Sequence, residues 1–181
     1  NELKPLYEPI DRGNRLYFAG RREQNPSKPM PSDANSTMRM SYGTIKGYSP
    51  ADAVEYDYFT TSRGILEKNN PESTEFNVFP SFLELIKKGD WGRWADKKDG
   101  KLHVAFISTN DITGGNSGSP VFDKNGRVFG LAFDGNWEAM SGDIEFEPNL
   151  QRTIVVDIRY VLFTIDKWGK CSRLIDEMTI K

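Results

Sequence analysis

The period of the apolar positions changes along the chain. Met38, Met40 and Tyr42 alternate with polar residues across Ser36–Tyr48, which predicts a strand that turns at Gly43, then a second short strand through Ile45. Ser49-Pro50-Ala51-Asp52 reads as a helix start, with proline in the first turn. Ser81–Lys88 is the stronger helix pattern: Ser81 can cap, Glu84 lies three residues on, and Gly89 supplies a stop. Trp91 and Trp94 are expected to pack against that helix. From Leu102 the pattern favours strands. Val104–Ile107 is a short apolar run, and Pro120–Phe133 reads as two strands joined at Lys124-Asn125-Gly126, a strong hairpin signal. Thr153–Val156 is a further strand. Asp157 then opens a helix with Ile158, Val161, Leu162 and Ile165 at helical spacing, Gly169 stops it, and Ser172–Met178 predicts a last short helix.

Residues 1–32 break these rhythms. Pro5, Pro9, Pro26, Pro29 and Pro31 punctuate a polar stretch, so a connector without a long helix is expected, leading in from an upstream region. The remainder, 33–181, is expected to be one mainly β domain. Asn35-Ser36-Thr37 fits a glycosylation sequon but reads better as a strand entry.

Composition narrows the function. The 24 Lys and Arg nearly balance 26 Asp and Glu, giving a formal charge of −2, without the basic excess of a nucleic-acid binder. No apolar run approaches the length of a membrane span. The single cysteine, Cys171, excludes an intrachain disulfide and a cysteine-based zinc site, and the single histidine, His103, excludes multi-histidine metal centres. No metal or cofactor is expected.

The candidate chemistry lies in Thr113-Gly-Gly-Asn-Ser-Gly-Ser-Pro120, a serine flanked by glycines just before a strand. Attack on an amide carbonyl creates an oxyanion, which needs two backbone N–H groups aimed at one point. Gly115 and Ser117, two residues apart, can supply them, and glycines permit the left-handed backbone such a turn requires. Ser117 is thus the candidate nucleophile and Gly115 an oxyanion donor. The strand after the hairpin would wall the substrate site. There Phe133 offers an apolar surface, Asp134 a carboxylate able to pair with a free α-ammonium group, and Gly135 space. A serine needs a base, normally histidine oriented by a carboxylate. His103 lies only 14 residues before Ser117, at a strand start, and reads as structural. The base and its carboxylate are therefore expected outside these 181 residues.

Asn110–Pro120, Gly130–Met140 and Val156–Phe163, with Asp33–Thr37 and Lys46-Gly-Tyr48, closely resemble the bacterial dipeptidyl-peptidase 7 and 11 family. The resemblance implies the second chymotrypsin-like six-stranded β-barrel, with one middle helix and C-terminal helices. It implies an exported, periplasmic or cell-surface serine exopeptidase that releases dipeptides from free N-termini. It makes Ser117 the nucleophile, Gly115 an oxyanion donor, and Phe133 and Asp134 holders of the substrate N-terminus. Gly135 falls where the acidic-specific branch carries arginine, which suits the dipeptidyl-peptidase 7 branch and bulky apolar residues at P1. The partners implied are oligopeptides and the missing N-terminal half, with a homodimer conceivable, and this chain alone should be inactive. Two other readings stay open: a glutamyl-endopeptidase-like enzyme, whose serine loop is similar, and a β-barrel module without catalysis.

Overall fold

The computed structural model describes residues 4–27, 38–142, 144 and 146–181. The chain divides into two compact units, Asn1–Asn35 and Ser36–Lys181. The sequon and the Asp33–Thr37 block lie outside the described residues.

The first unit holds one helix, α1, at Lys4–Gln24. It overturns the expectation that the prolines prevent a long helix. Pro5 sits in the first turn, where its missing N–H has no partner to lose, and Pro26 follows the helix end. Only Pro9 removes an internal bond. Beyond it the segment is rich in helix formers, and Arg21 stacks on Tyr17 one turn back at 5.9 Å.

The second unit is built on an antiparallel sheet, with a separate ribbon of β1 (Tyr48–Ala51) and β2 (Val54–Tyr56). Ser49–Asp52 therefore starts no helix. β1 pairs with β2, and the chain reverses at Ala53, where φ is +59°. The strand expected over Met38–Tyr42 is absent too. Those side chains are exposed while Arg39 between them is half-buried, so the alternation survives with its polarity inverted. Ile45 makes only an isolated antiparallel bridge to Ser108.

β3 (Phe59–Thr61) leads into α2 (Ser62–Lys68), a helix the apolar pattern did not announce. α3 occupies Pro80–Lys88 and ends at Gly89 in the left-handed conformation, φ +68°. Its start differs from expectation: Pro80 opens the helix, and Ser81 accepts from the Trp168 indole instead of capping. β4 (His103–Ser108), β5 (Pro120–Phe122), β6 (Val128–Gly135) and β7 (Thr153–Asp157) complete a five-stranded sheet in the order β3-β4-β7-β6-β5. The β5–β6 connection turns at Asn125-Gly126, with Gly126 at φ +75° and the Asp123 carboxylate accepting the Asn125 and Arg127 amides. α4 (Ile158–Phe163) runs into a π turn at Thr164–Trp168, and α5 (Ser172–Asp176) follows. The mainly β reading with C-terminal helices holds, while the described strands form a five-stranded sheet and a two-stranded ribbon in place of six strands, and two helices, α2 and α3, stand where one was expected.

Two packings fix the sheet. Phe82, Ile86, Trp94, Leu102, Leu162, Phe163 and Ile175 form the main core, so the helices close one side, and Trp94 is 2% exposed as its position after α3 suggested. Between β4, β6 and β7, Phe106 and Val155 are buried over Gly130, where a Cβ would come within 2.4 Å of the Val155 side chain. That site admits only glycine.

Asp157 caps α4 by accepting from the Arg159 amide, and the Arg159 guanidinium ties Asp157 to Asp96 at 2.7 and 2.6 Å. The Arg159 hydrogen bond, followed by the Lys98 amide, holds the Asp96 carboxyl down at about 2. A carboxylate depressed on folding stabilises fully above its ordinary value near ~4 and loses that contribution as the pH falls through the folded value. Asp96→Asn should therefore lower the urea midpoint at pH 7 and flatten its decline between about pH 4 and 2. An acid limb identical to that of the unsubstituted protein would remove Asp96 from this account.

Candidate active site

The β5–β6 ladder continues beyond β5 toward the glycine-rich loop. The Gly118 amide donates to the Ala132 carbonyl at 2.7 Å, and the Ala132 amide donates to Ser119 at 2.9 Å. Ser117 is thus the first residue outside the ladder, held at its end and exposed. Glycines flank it where the backbone enters the left-handed region, Gly115 at φ +94° and Gly118 at φ +83°. A side chain at either position would strain that path.

Four amides of the loop are occupied: Thr113 donates to Asn116 Oδ1, Asn116 to the Thr113 carbonyl, Ser119 to the Asn116 carbonyl, and Gly118 to the Ala132 carbonyl. Those of Gly114, Gly115 and Ser117 have no acceptor among the described residues. The two amides that an oxyanion would need are among the three that the loop leaves open.

β6 carries an irregularity that bears on the serine. Its pairing with β7 joins Ala132 to Val155 and Asp134 to Ile154, so Phe133 is an extra residue, a bulge. A bulge frees a backbone group from the ladder and redirects the side chain. The Phe133 carbonyl accepts from Ser117 Oγ at 3.1 Å, and the Phe133 side chain is 59% exposed. The exposed Ser117 hydroxyl is thus held by a carbonyl of the neighbouring strand. Asp134 follows directly. One of its oxygens accepts the Gly135 amide at 2.8 Å, and the other has no partner among the described residues. Ser117, Gly115, Phe133 and Asp134 therefore gather where the loop meets the end of β6.

Gly135 differs from expectation in one respect. A Cβ there would lie 2.9 Å from the Cβ of Ala139, in the 3-10 turn Trp137–Ser141. The glycine permits close approach of that turn rather than leaving an empty space. The turn is anchored behind the site. Glu138 accepts from the Tyr48 hydroxyl and Asn136 Nδ2, each at 2.9 Å, and Asn136 Oδ1 accepts the Arg152 backbone amide at 2.8 Å. Among the described residues the buried Arg152 guanidinium bonds only carbonyls, those of Lys46, Gly47, Pro148, Gln151 and Asn149, and stacks on Tyr48 at 5.5 Å.

His103 is no partner of this serine. It is buried, its Nε2 lies 3.0 Å from Asp99, and its ring stacks on Phe59 at 4.1 Å. Its bond lowers the Asp99 carboxyl. Asp96, Asp99 and His103 bring ligand atoms within 4.8 Å of one another, but Asp96 already carries the Arg159 cation.

Sequence reasoning missed Arg39, which donates to Thr113 Oγ1 at 2.6 Å and to Asn116 Oδ1 at 3.2 Å. The alternation of Met38, Met40 and Tyr42 marks the position, since its opposite face is the one turned inward. It also missed the bulge at Phe133, for which the apolar run of β6 gives no signal.

The domain is thus a β-sheet unit with an exposed serine turn at the open end of a hairpin. Residues 1–180 match the Peptidase S46 family, and the chain belongs to that family. It is 66% identical over 171 residues to dipeptidyl-peptidase 7 of Porphyromonas gingivalis, covering 94% of this chain and 24% of that protein. It is 49% identical over 180 residues to the Asp/Glu-specific dipeptidyl-peptidase of the same organism, covering 99% of this chain and 25% of that protein. Among solved structures, Porphyromonas endodontalis DPP11 in complex with the dipeptide Arg-Glu superposes with a TM-score of 0.85 at 45% identity, over 93% of this chain and 24% of that one. The chain spans about a quarter of the length of these relatives.

The contact between Gly135 and Ala139 can be checked by stability. Gly135→Ala should cost roughly 1–3 kcal/mol by overpacking, read as a lower urea midpoint. Ala139→Gly added to it should recover most of the loss, because the two substitutions share one contact. Additive losses would contradict the close approach.

Proposed function

We propose that the full-length protein is a serine-type dipeptidyl aminopeptidase whose nucleophile is Ser117. The observation that carries this reading is the exposed Ser117 hydroxyl beside two open amides, in a chain 66% identical to a dipeptidyl-peptidase 7. Ser117 Oγ attacks the carbonyl of the second residue of a peptide, and its proton passes to a base, which returns it to the leaving nitrogen. The Gly115 and Ser117 amides receive the oxyanion of the tetrahedral intermediate. Collapse expels the shortened peptide as an amine and leaves a dipeptidyl ester on Ser117, which water hydrolyses by the same route.

The base and its carboxylate come from outside these 181 residues, because the one histidine is buried against Asp99 and Phe59. The unpartnered oxygen of Asp134, next to the carbonyl that holds Ser117, suits the α-ammonium group of the substrate, and the exposed Phe133 ring suits its apolar part. An ammonium anchor at Asp134 would fix the substrate's N-terminus relative to Ser117, as an exopeptidase requires. Phe133, Trp137 and Met140 are exposed at this end of the domain. That surface fits one covered by the remainder of the protein or by a second copy. Export to the periplasm or cell surface, where oligopeptides would reach the site, accompanies this reading.

Bulky apolar side chains at P1 are the preference proposed, on the grounds that Gly135 stands where the acidic-specific branch carries arginine. Gly135→Arg should move cleavage from Leu or Phe toward Asp or Glu at P1, and an unchanged ranking would remove Gly135 from the pocket. In the full-length protein Ser117→Ala should lower dipeptide release by at least about 10³-fold. Retained release would end the nucleophile assignment. Acetylating the substrate's N-terminus should abolish cleavage, because the ammonium group is gone, and continued cleavage would identify an endopeptidase.

A further inference from the structure

We propose that Arg39 is the positioning residue of the oxyanion turn, an inference that rests on the reading of Ser117 as nucleophile. The turn Thr113–Asn116 has little else to hold it. Among the described residues nothing lies within 4 Å of where a Cβ would stand on Gly114 or Gly115, so neither glycine has packing around its Cβ position to orient the Gly115 amide. Hydrogen bonds must do so. Two are internal to the turn: the Asn116 amide to the Thr113 carbonyl at 3.2 Å, and the Thr113 amide to Asn116 Oδ1 at 3.1 Å. The Arg39 guanidinium ties both ends of the turn to a different segment, through Thr113 Oγ1 at 2.6 Å and Asn116 Oδ1 at 3.2 Å. Two nitrogens of one planar group thus fix the spacing between Thr113 and Asn116. Lysine, a point charge on a flexible stem, cannot reproduce that fork.

The segment that carries Arg39 is itself anchored at the end of β4. Thr44 donates to Thr109 Oγ1 at 3.0 Å, the Thr109 amide donates back to the Thr44 carbonyl at 2.9 Å, and Ile45 bridges to Ser108. Gly43 lies so close that a Cβ there would fall 2.7 Å from the Asn110 amide nitrogen. A chain of contacts therefore runs from the sheet through residues 43–45 to Arg39 and on to the turn. Asn116 sits between two open amides, Gly115 on one side and Ser117 on the other. Holding its side chain and the Thr113 hydroxyl sets the planes of both N–H groups. Such a device acts on the transition state, where charge has moved onto the oxygen, more than on the bound substrate.

The test uses the full-length protein and a chromogenic dipeptidyl substrate. Arg39→Met, which keeps an unbranched apolar stem and removes the donors, should lower kcat about 10–100-fold, the scale of a misaligned donor, with KM changed less than about 3-fold. Affinity for a dipeptidyl boronic acid, which mimics the tetrahedral adduct, should weaken in parallel with kcat. Arg39→Lys should fall between the two proteins. An unaltered kcat and boronate affinity in folded Arg39→Met protein overturns the proposal, as does a loss confined to KM. Should Arg39→Met not fold, Thr113→Val carries the same test: a kcat lowered several-fold supports the clamp, and an unchanged one overturns it. Ser117→Ala, assayed alongside, separates the two ideas. Retained release there overturns the nucleophile reading itself, whereas abolished release with a normal Arg39→Met kcat overturns only the role of Arg39.

Discussion

The site depends on the backbone pairing of Gly118 and Ser119 with Ala132. That pairing extends the β5–β6 ladder by one step past Pro120 and stops before Ser117. Where the ladder ends, the backbone is free to turn through glycine, and the amides that sheet bonding would have used stay open. Across from it, the bulge at Phe133 releases a carbonyl from the β7 pairing at the same level. Both effects arise from one register. Slipping it by a residue would move Ser117 into the ladder and turn the Phe133 side chain to the other face.

The rigidity behind this edge comes from elsewhere. The helices pack Trp94, Leu102 and Phe163 into a core against which the central strands are fixed, and Gly130 lets Phe106 and Val155 meet across them. The loop itself is exposed and nearly unpacked. Its geometry rests on a few hydrogen bonds and on left-handed glycines, so it keeps amides unpaired at modest cost while the sheet supplies the reference frame. The carbonyl cage around Arg152 does the same work behind Gly135, joining residues 46–47 and 147–152 to the base of the Trp137–Ser141 turn.

Much of this was legible in the sequence where local chemistry decides the outcome. The hairpin at Asn125-Gly126, the stop at Gly89, the cap at Asp157 and the glycine-flanked serine each carry their own backbone preference, and each adopts it. The failures fall where tertiary context overrides local signal. Pro50 lies in a strand because β2 pairs with its neighbours, and α1 tolerates Pro9 because one lost bond is small beside the turns that follow. Met38, Met40 and Tyr42 keep their period but face outward, since the inward partner is a cation bound to a loop more than 70 residues away. No single sequence exposes that pairing. The contact of Gly135 with Ala139 was hidden for a similar reason, because it depends on how a 3-10 turn folds back on the strand.

The claim beneath this account is that the Ser117 oxygen becomes nucleophilic once a base reaches it. Reaction of the full-length protein with a fluorophosphonate, followed by fragmentation mass spectrometry of the peptide spanning the Gly115–Pro120 loop, tests it at the atom concerned. The account predicts a single phosphonyl adduct on Ser117, formed in step with loss of peptidase activity. An adduct on another serine, or inactivation with Ser117 unmodified, would contradict it.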